Sequence, residues 1–275
     1  MPSDVIRILS DLHYGERMSR IRRLAQLRPL LDGAERIVFN GDTLDTRIGP
    51  RPQHTANCRA EVAAFDRESG LRFDFITGNH DPDFSSRHFL EFAGGQVLVT
   101  HGDILFNNLV PWSRDAAAIE KRIATAIGNA GPPESLSLEA RFGIWRKVAI
   151  SIPQRHQSEP DPLKCALHFI ADTIWPPTRL LRVLQVWQIE PDLAAAFARR
   201  HWPRARFILT GHTHRPGIRQ APDGVVAINT GAFCSPFGGC AIDLAPSLLR
   251  VRRIGFRHGE FRLGGTVTEF RLAAS

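Results

Sequence analysis

The feature that most constrains this chain is a set of five short apolar runs, each followed at once by a polar cluster of similar chemistry. The runs are rich in Val, Ile, Leu and Phe, which is typical of buried β-strands bounded by turns. Each cluster supplies Asp, Asn or His, and four of the clusters include a glycine. In chain order, the pairs of run and cluster are VIRIL and SDLH, RIVF and NGDTLD, FDFI and TGNHD, QVLV and THGD, and RFIL and TGHTH.

The segments around these runs predict an α/β (α+β) fold. Apolar residues recur at helical spacing in residues 18–33, and a second helical pattern covers residues 55–69. A sixth strand is expected at 225–228, and alternation with glycine turns predicts a β-ribbon from 240 to 272. Two packed sheets flanked by helices, a four-layer αββα sandwich, would accommodate both the strands and helices at the start of the chain and the β-ribbon at its end.

The middle of the chain lacks these short apolar runs followed by polar clusters. Residues 104–205 carry helical patterns separated by the Pro-rich joints GPPES, SEPDP and WPPT. We expect this segment to be a helical cap inserted into a core made of residues 1–103 and 206–275. The segment contains all five tryptophans, which serve either helix packing or an acyl-chain pocket: Trp112, Trp145, Trp175, Trp187 and Trp202.

The polar clusters predict a metal centre. In sheets of this kind, ligands gather at the carboxyl ends of the strands, so the five clusters should converge. Carboxylate, imidazole and carboxamide without thiolate suit Mn²⁺, Fe²⁺, Zn²⁺ or Mg²⁺. The D-x-H and H-x-H spacings would place both side chains on one face of an extended segment. About seven ligands exceed the needs of one ion, so two divalent ions are implied, with Mn²⁺ the first choice.

The ordered set D-x-H, G-D-x-x-D, G-N-H-D, H-G-D and G-H-T-H resembles the calcineurin-like metallophosphoesterase superfamily. The resemblance implies a phosphoesterase with a dinuclear centre, in which a metal-bridging hydroxide attacks phosphorus. It also implies the ligands of each ion. One metal would be held by Asp11, His13 and His214, the other by Asn79, His101 and His212, and Asp42 would bridge the two.

The same resemblance gives His80 a different role. His80 would not bind metal but would protonate the leaving alkoxide, which suits an imidazole with an ordinary pKa near 6.5. A carboxylate must orient this imidazole. The family pattern points to Asp45, and Asp81 is the local alternative.

The predicted cap resembles the lid of the UDP-2,3-diacylglucosamine pyrophosphatases of lipid A synthesis, although those enzymes typically carry Arg where this chain has His80. The substrate is therefore expected to be a phosphorylated small molecule or a lipid-linked nucleotide sugar. The cap would touch the membrane surface in the second case. Four cap arginines are candidates to grip a substrate phosphate: Arg141, Arg146, Arg155 and Arg182.

Composition limits the remaining options. No apolar run approaches the roughly 18 residues that span a bilayer, and the N-terminus lacks a signal-peptide pattern. The net charge of +7 is carried almost wholly by arginine and permits anionic partners. No stable nucleic-acid partner is expected, because no aromatic platform accompanies the basic stretch 250–262. We expect a cytoplasmic enzyme with reduced cysteines; a non-catalytic docking protein or a nuclease on the same scaffold are the alternatives.

Overall fold

A computed structural model describes residues 4–132, 135–154, 178–236 and 238–273 of the chain. The strands in these ranges are β1 Ile6–Leu9, β2 Arg36–Asn40, β3 Arg72–Ile76, β4 Phe89–Phe92, β5 Val97–Thr100, β6 Phe207–Thr210, β7 Gly217–Gln220, β8 Val226–Asn229, β9 Cys240–Ala245, β10 Leu248–Arg257 and β11 Glu260–Arg271. The α-helices are α1 Arg28–Leu31, α2 Pro52–Ser69, α3 Ala116–Ala130, α4 Leu138–Ile150 and α5 Thr178–His201. Short 3₁₀ turns cover Leu24–Leu27, Ala93–Gly95 and Asp103–Leu105.

The strands form two mixed sheets. The first has the order β11-β10-β9-β1-β2-β3, and the second has the order β4-β5-β6-β8-β7. β1, β2 and β3 run parallel in the first sheet, and β5, β6 and β8 run parallel in the second. The carboxyl ends of parallel neighbours meet at one edge of a sheet, so each sheet collects the loops that follow these strands at a single edge.

The core has the four layers that the sequence predicts. Ile8 and Val38 of the first sheet pack in one buried cluster with Val99 and Leu209 of the second. The outer face of the first sheet packs against the 3₁₀ turn 24–27, α1 and α2. The outer face of the second sheet packs against small residues of α5, among them Ala194. The prediction of a mixed α/β sandwich is confirmed.

All six predicted core strands are present, and the ribbon at 240–272 forms β9, β10 and β11. α2 begins at Pro52, three residues before the predicted start, because proline suits the first turn of a helix. The helix predicted at 18–33 is wrong over its first part. Arg20 N–H donates to Phe233 O and Ser19 Oγ donates to Leu12 O. These hydrogen bonds go to residues outside the segment instead of along a helix, and helical turns begin only at Leu24.

Helices α3, α4 and α5 lie between β5 and β6, which is the segment predicted as a cap. α3 and α4 share a buried cluster of their own that includes Ile119 and Trp145. The division at residues 104 and 205 stays a prediction. Arg155, Trp175 and Cys165 lie outside the described residues; the other cysteines, Cys58, Cys234 and Cys240, are free thiols. Among the described helices, none combines the length and the apolar character needed to cross a membrane.

Candidate metal centre

The predicted ligands lie in the turns that directly follow five strands, and most of them have an unusual backbone. Asp11, His13, Asp42, His212 and His214 all have positive φ angles, between 48° and 66°. Residues with a side chain seldom adopt this left-handed region, and such strained positions cluster at functional sites. The surrounding structure therefore holds five of the seven predicted ligands in strained conformations.

The spacing argument made from the sequence is wrong in one respect. β1 ends at Leu9 and β6 ends at Thr210, so the D-x-H and H-x-H pairs are not in extended segments. Left-handed turns, and not strand alternation, bring Asp11 next to His13. The side chains still converge, because the turn after β1 in the first sheet meets the turn after β6 in the second, where His214 Nε2 lies 3.3 Å from Asp11 Oδ1.

Glycines allow these turns to approach one another closely. Gly41 has φ +79°, and a Cβ atom at this position would overlap the ring of His101. A Cβ atom at Gly78 would overlap the backbone and carboxylate of Asp42. Glycine is the residue that permits both a positive φ and such contact.

One group of side chains gathers around Asp11. His214 Nε2 lies 3.3 Å from Asp11 Oδ1 and 3.0 Å from His13 Nε2. Asp42 Oδ2 lies 3.8 Å from His13 Nε2. Each of these four residues offers one ligand atom, and the four atoms lie within 4.8 Å of one another. This spacing suits a single ion.

A second group shares Asp42. His101 Nε2 lies 3.3 Å from Asp42 Oδ2, and the rings of His101 and His212 lie 5.2 Å apart. Asn79 is buried in the next turn, where the N–H of the adjacent His80 donates to Asp42 Oδ1 at 2.8 Å. Asp42 thus belongs to both groups, which is the place that the resemblance gives to the bridging carboxylate.

Three of the histidines have one ring nitrogen held by a neighbour outside the group. His13 Nδ1 lies 2.7 Å from Glu16 Oε1, His101 Nδ1 lies 3.0 Å from Asn40 O, and His212 Nε2 lies 2.7 Å from Leu109 O. An acceptor of this kind fixes the N–H on the nitrogen that faces it. The other nitrogen of each ring then carries a lone pair that can bind a metal ion.

The residues therefore fit two cations. Among the described residues, Asn79 Oδ1 and His101 Nε2 are buried and meet no hydrogen-bond partner. The facing atoms of His101 and Asp42 are both electron-rich, as are those of His13 and His214. Such contacts are unfavourable unless a proton or a cation lies between the atoms. Oxygen and imidazole nitrogen donors of this mixture suit borderline-to-hard divalent ions.

The pKa values of the predicted ligands also fit a cation site. Burial alone would lower the pKa of His101, but the facing Asp42 carboxylate outweighs burial and holds that pKa well above its ordinary value. Burial would raise the pKa of Asp42, and the charge of His101 outweighs it and holds that pKa well below its usual range. Burial and His101 lower the pKa of His212 to about 3. Protons and metal ions therefore compete for the same atoms.

His80 lies beside the first group and has its own set of partners. Its Nδ1 atom lies 3.3 Å from Asp45 Oδ2 and 3.3 Å from Glu16 Oε1, and its ring meets that of His13 edge-on at 4.8 Å. Arg47 Nε and Nη2 hold the two oxygens of Asp45 at 3.0 and 2.8 Å. The orienting carboxylate that the resemblance implies is therefore within reach of the imidazole.

The charge around His80 favours its protonated form. Burial and Arg47, whose Nη2 lies 3.0 Å from His80 Nδ1, would lower the pKa of this histidine. The carboxylates of Asp42, Glu16 and Asp45 outweigh both and raise the pKa to about 10. A protonated imidazole at neutral pH is the form that a proton donor requires.

Asp81, the alternative partner for His80, instead holds the turn after β2 and the turn after β3 together by hydrogen bonds. Its Oδ1 accepts from Gly78 N at 2.7 Å and from Asp42 N at 3.1 Å, and its Oδ2 accepts from Thr43 N at 2.7 Å. A carboxylate with three backbone donors cannot also turn toward the imidazole without leaving buried N–H groups unpaired. Asp45 is the better candidate to orient His80.

Sequence reasoning missed two residues of the site. Glu16 joins His13 to His80, and Arg47 fixes Asp45. Neither is part of the motifs, although each follows its motif closely, three residues after His13 and two after Asp45. Residue type alone gives no signal for either one, because the burial of a charged side chain directly after a ligand motif is visible only in the structure.

Three of the four candidate cap arginines make contacts within the protein, and their role toward a substrate phosphate stays a prediction. Arg146 Nε donates to Pro82 O at 2.5 Å and its Nη2 donates to Ser85 O at 2.9 Å, so α4 supports the chain that follows His80. Arg182 Nη1 donates to Pro111 O at 3.4 Å, and the Arg141 guanidinium lies over the Trp145 ring. These three arginines support the fold around the site.

The two-sheet fold and the Asp, Asn and His side chains at its strand ends are those of a metallophosphoesterase. The chain belongs to the calcineurin-like phosphoesterase family, whose model matches residues 5–216. A comparison with curated proteins gives no match.

Two solved structures are examples of proteins that are similar to this chain. The chain is 14% identical to a dimetal phosphatase from Danio rerio, with complete coverage of both chains and a TM-score of 0.49. It is 12% identical to vacuolar protein sorting 29 from Cryptosporidium parvum, with 98% of each chain covered and a TM-score of 0.46.

Proposed function

We propose that the protein is a metal-dependent hydrolase of phosphate esters or pyrophosphates that uses two divalent ions. The observation that carries the proposal is the position of His80 beside His13 of the first ligand group, with the Asp45 carboxylate 3.3 Å from Nδ1 of its ring. A docking protein would need the fold but not a partly exposed imidazole with an orienting carboxylate beside it.

The residues divide into two holding sets and a bridge. Asp11, His13 and His214 would hold one ion, Asn79, His101 and His212 would hold the other, and Asp42 would be shared. When bound, such a pair of ions lowers the pKa of water and neutralises charge on the phosphoryl oxygens. Mn²⁺ is the first candidate, and Fe²⁺, Zn²⁺ or Mg²⁺ would also accept these donors.

The chain itself supplies the proton for the leaving group. With Nδ1 of His80 turned toward Asp45 and Glu16, its Nε2–H is free to point away from them. A positioned acid of this kind contributes about 10²- to 10⁴-fold to the rate. Arg47 keeps Asp45 in place, and Asp81 keeps the turns of His80 and Asp42 together.

The test is a parallel assay with purified protein, with and without Mn²⁺. The three substrates are p-nitrophenyl phosphate, bis-p-nitrophenyl phosphate, and a UDP-linked acylated sugar in detergent. We expect hydrolysis of at least one substrate, lost on chelation and restored by Mn²⁺. Two bound ions with no turnover of any substrate in wild-type protein would favour the docking alternative. Cleavage of single- or double-stranded DNA would favour a nuclease.

A second candidate function is the lipid-linked pyrophosphatase that the cap suggests. The observation that favours it is the exposure of three leucines at the start of α5, Leu180, Leu181 and Leu184, of which Leu181 is 65% exposed. Exposed leucines near arginine suit contact with acyl chains or an anionic bilayer. Turnover confined to the acylated sugar would support this candidate, and turnover of the small esters alone would oppose it.

A further inference from the structure

A single carboxylate interrupts the otherwise apolar buried face of α5. One buried stripe of this helix consists of every fourth residue, namely Val186, Glu190, Ala194 and Ala198. The Glu190 side chain is only 5% exposed. Burial of a carboxylate costs free energy unless hydrogen bonds compensate for it, so the partners of Glu190 indicate what it does there.

Glu190 contacts the ends of two paired strands. Thr210, the last residue of β6, donates from Oγ1 to Glu190 Oε1 at 2.7 Å. Asn229, the last residue of β8, has its Nδ2 atom 3.5 Å from the same oxygen. Thr210 and Asn229 are partners in the register of the two parallel strands. The carboxylate therefore lies where the chain leaves β6 for the turn that carries His212 and His214.

The Asn229 carboxamide connects Glu190 to that turn. Its Nδ2 atom donates to Gly211 O at 2.6 Å and to Thr213 Oγ1 at 3.0 Å. These two acceptors flank His212 in the chain. Because Nδ2 can only donate and Oδ1 can only accept, the nearby Glu190 oxygen favours the orientation in which Nδ2 faces the turn.

The turn needs such support because both of its predicted ligands have a strained backbone. His212 and His214 have φ angles of 66° and 59°. A residue with a side chain keeps this conformation only where the surrounding structure fixes it. The hydrogen bonds to Gly211 and Thr213 lie on either side of His212, so they fix the backbone that aims its imidazole.

We infer that Glu190 is a positioning residue for the metal centre, because its contacts with Thr210 and Asn229 hold the turn that carries two predicted ligands. The inference rests on the proposed function, since it concerns affinity for the two ions. His212 is a predicted ligand of one ion and His214 of the other, so a displaced turn would weaken the binding of both. Outer partners of metal ligands commonly change metal affinity in this way.

The test is a titration of metal-free protein with Mn²⁺, in which electron paramagnetic resonance of the free ion gives the dissociation constants. Glu190→Leu removes the acceptor and keeps a side chain that suits the buried face of α5. We expect the dissociation constants of both ions to rise about 2- to 30-fold, the usual effect of a residue that acts on a site without touching it. Glu190→Gln keeps an oxygen that can accept from Thr210 and Asn229, so its constants should stay close to those of wild-type protein.

Asp192→Asn is the matched control. Asp192 lies on the same helix, is 51% exposed and pairs with Arg219 Nη2 at 3.1 Å, so this variant should bind Mn²⁺ as wild-type protein does. Unchanged affinity in Glu190→Leu would overturn the inference. A loss in Glu190→Gln as large as in Glu190→Leu would also overturn it, because the hydrogen bonds would then not be the cause.

A purely structural role would give a different result. It would lower the Tm of metal-free Glu190→Leu and leave the dissociation constants of the folded protein unchanged, which would overturn the positioning role. If Glu190→Leu does not fold, Thr210→Val decides, because valine keeps the shape of threonine and removes the hydroxyl that donates to Glu190. We expect Thr210→Val to raise the dissociation constants as well, and wild-type affinity in this variant would overturn the inference.

The titration needs no turnover, so it separates this inference from the proposed function. If wild-type protein hydrolyses no substrate but Glu190→Leu weakens Mn²⁺ binding as expected, the positioning role stands and the hydrolysis proposal fails. If wild-type protein hydrolyses an ester but Glu190→Leu binds Mn²⁺ with wild-type affinity, the positioning role fails and the hydrolysis proposal stands. Wild-type protein that binds no Mn²⁺ would overturn both.

Discussion

Asp45 Oδ2 lies 3.3 Å from His80 Nδ1, and the Arg47 guanidinium holds both oxygens of Asp45. The carboxylate is 3% exposed, so this arrangement is set by the fold. Asp45 follows β2 and His80 follows β3, two parallel neighbours in one sheet. The pairing of adjacent strands is what brings the proposed acid to its partner.

Replacement of the proposed acid is the first prediction. His80→Ala should lower kcat about 10²- to 10⁴-fold and leave the metal content unchanged, because His80 is not among the predicted ligands. Steady-state kinetics and elemental analysis of the same preparation measure both quantities. Unaltered turnover in this variant would show that another group supplies the proton.

Asp45→Asn tests the orienting role. The amide keeps the shape of the carboxylate but loses its charge, so we expect kcat to fall by less than the about 10²- to 10⁴-fold expected for loss of the acid itself in His80→Ala. The control is Asp83→Asn, since Asp83 is 47% exposed and pairs with Arg59 at the surface. A fall in kcat as large in the control would contradict the role given to Asp45.

Glu16→Gln should weaken metal binding. Glu16 Oε1 accepts from His13 Nδ1 at 2.7 Å, and the loss of such an outer partner typically costs about 10- to 10²-fold in metal affinity or activity. Titration with Mn²⁺ gives the dissociation constant directly. Glu68→Gln is the matched control, because Glu68 pairs with Arg28 on the exposed surface. Equal Mn²⁺ affinity in Glu16→Gln and wild-type protein would remove Glu16 from the site.

We expect His88 to make the free energy of unfolding fall as the pH is lowered. Burial and the neighbouring Arg146 lower the pKa of His88 to about 4. The unfolded chain, with an ordinary histidine pKa near 6.5, then binds the proton more readily, so this contribution to stability is present above pH 6.5 and is lost as the pH falls toward 4. Urea unfolding of metal-free protein between pH 7 and pH 4 measures the effect.

The variant His88→Phe isolates this contribution. Phenylalanine keeps the stacking on Phe142, whose ring is 4.7 Å away and nearly parallel, but cannot take up a proton. The stability difference between the variant and wild-type protein should shift in favour of the variant as the pH falls. A difference that is constant with pH would contradict the assignment.

Much of the fold could be predicted from the sequence because most of its core strands are buried on both faces. Such strands are short, continuous apolar runs, and all six were found in this way. β4 and β7 were not predicted. β7 is fully exposed and carries no apolar pattern, whereas β4 is a half-buried apolar strand of only four residues; both lie at the ends of the second sheet.

For the candidate site too, some residues could be predicted from the sequence and others could not. The Asp, Asn and His residues could be selected because few other functions need them at successive strand ends. The left-handed backbone of Asp11 and His214 has no signal in residue type, since glycine is absent at both positions. Glu16 and Arg47 look like surface charges in the sequence, and only tertiary packing buries them against His13 and Asp45.

The measurement that tests the central claim most directly is the number of Mn²⁺ ions bound per chain, with Asp42→Asn as the comparison. Elemental analysis after equilibrium dialysis should give two ions in wild-type protein. In Asp42→Asn, where the shared carboxylate loses its charge, both occupancy and phosphoesterase activity should fall sharply. One ion or none in wild-type protein, or two ions in Asp42→Asn with full activity, would contradict a dinuclear centre bridged by Asp42.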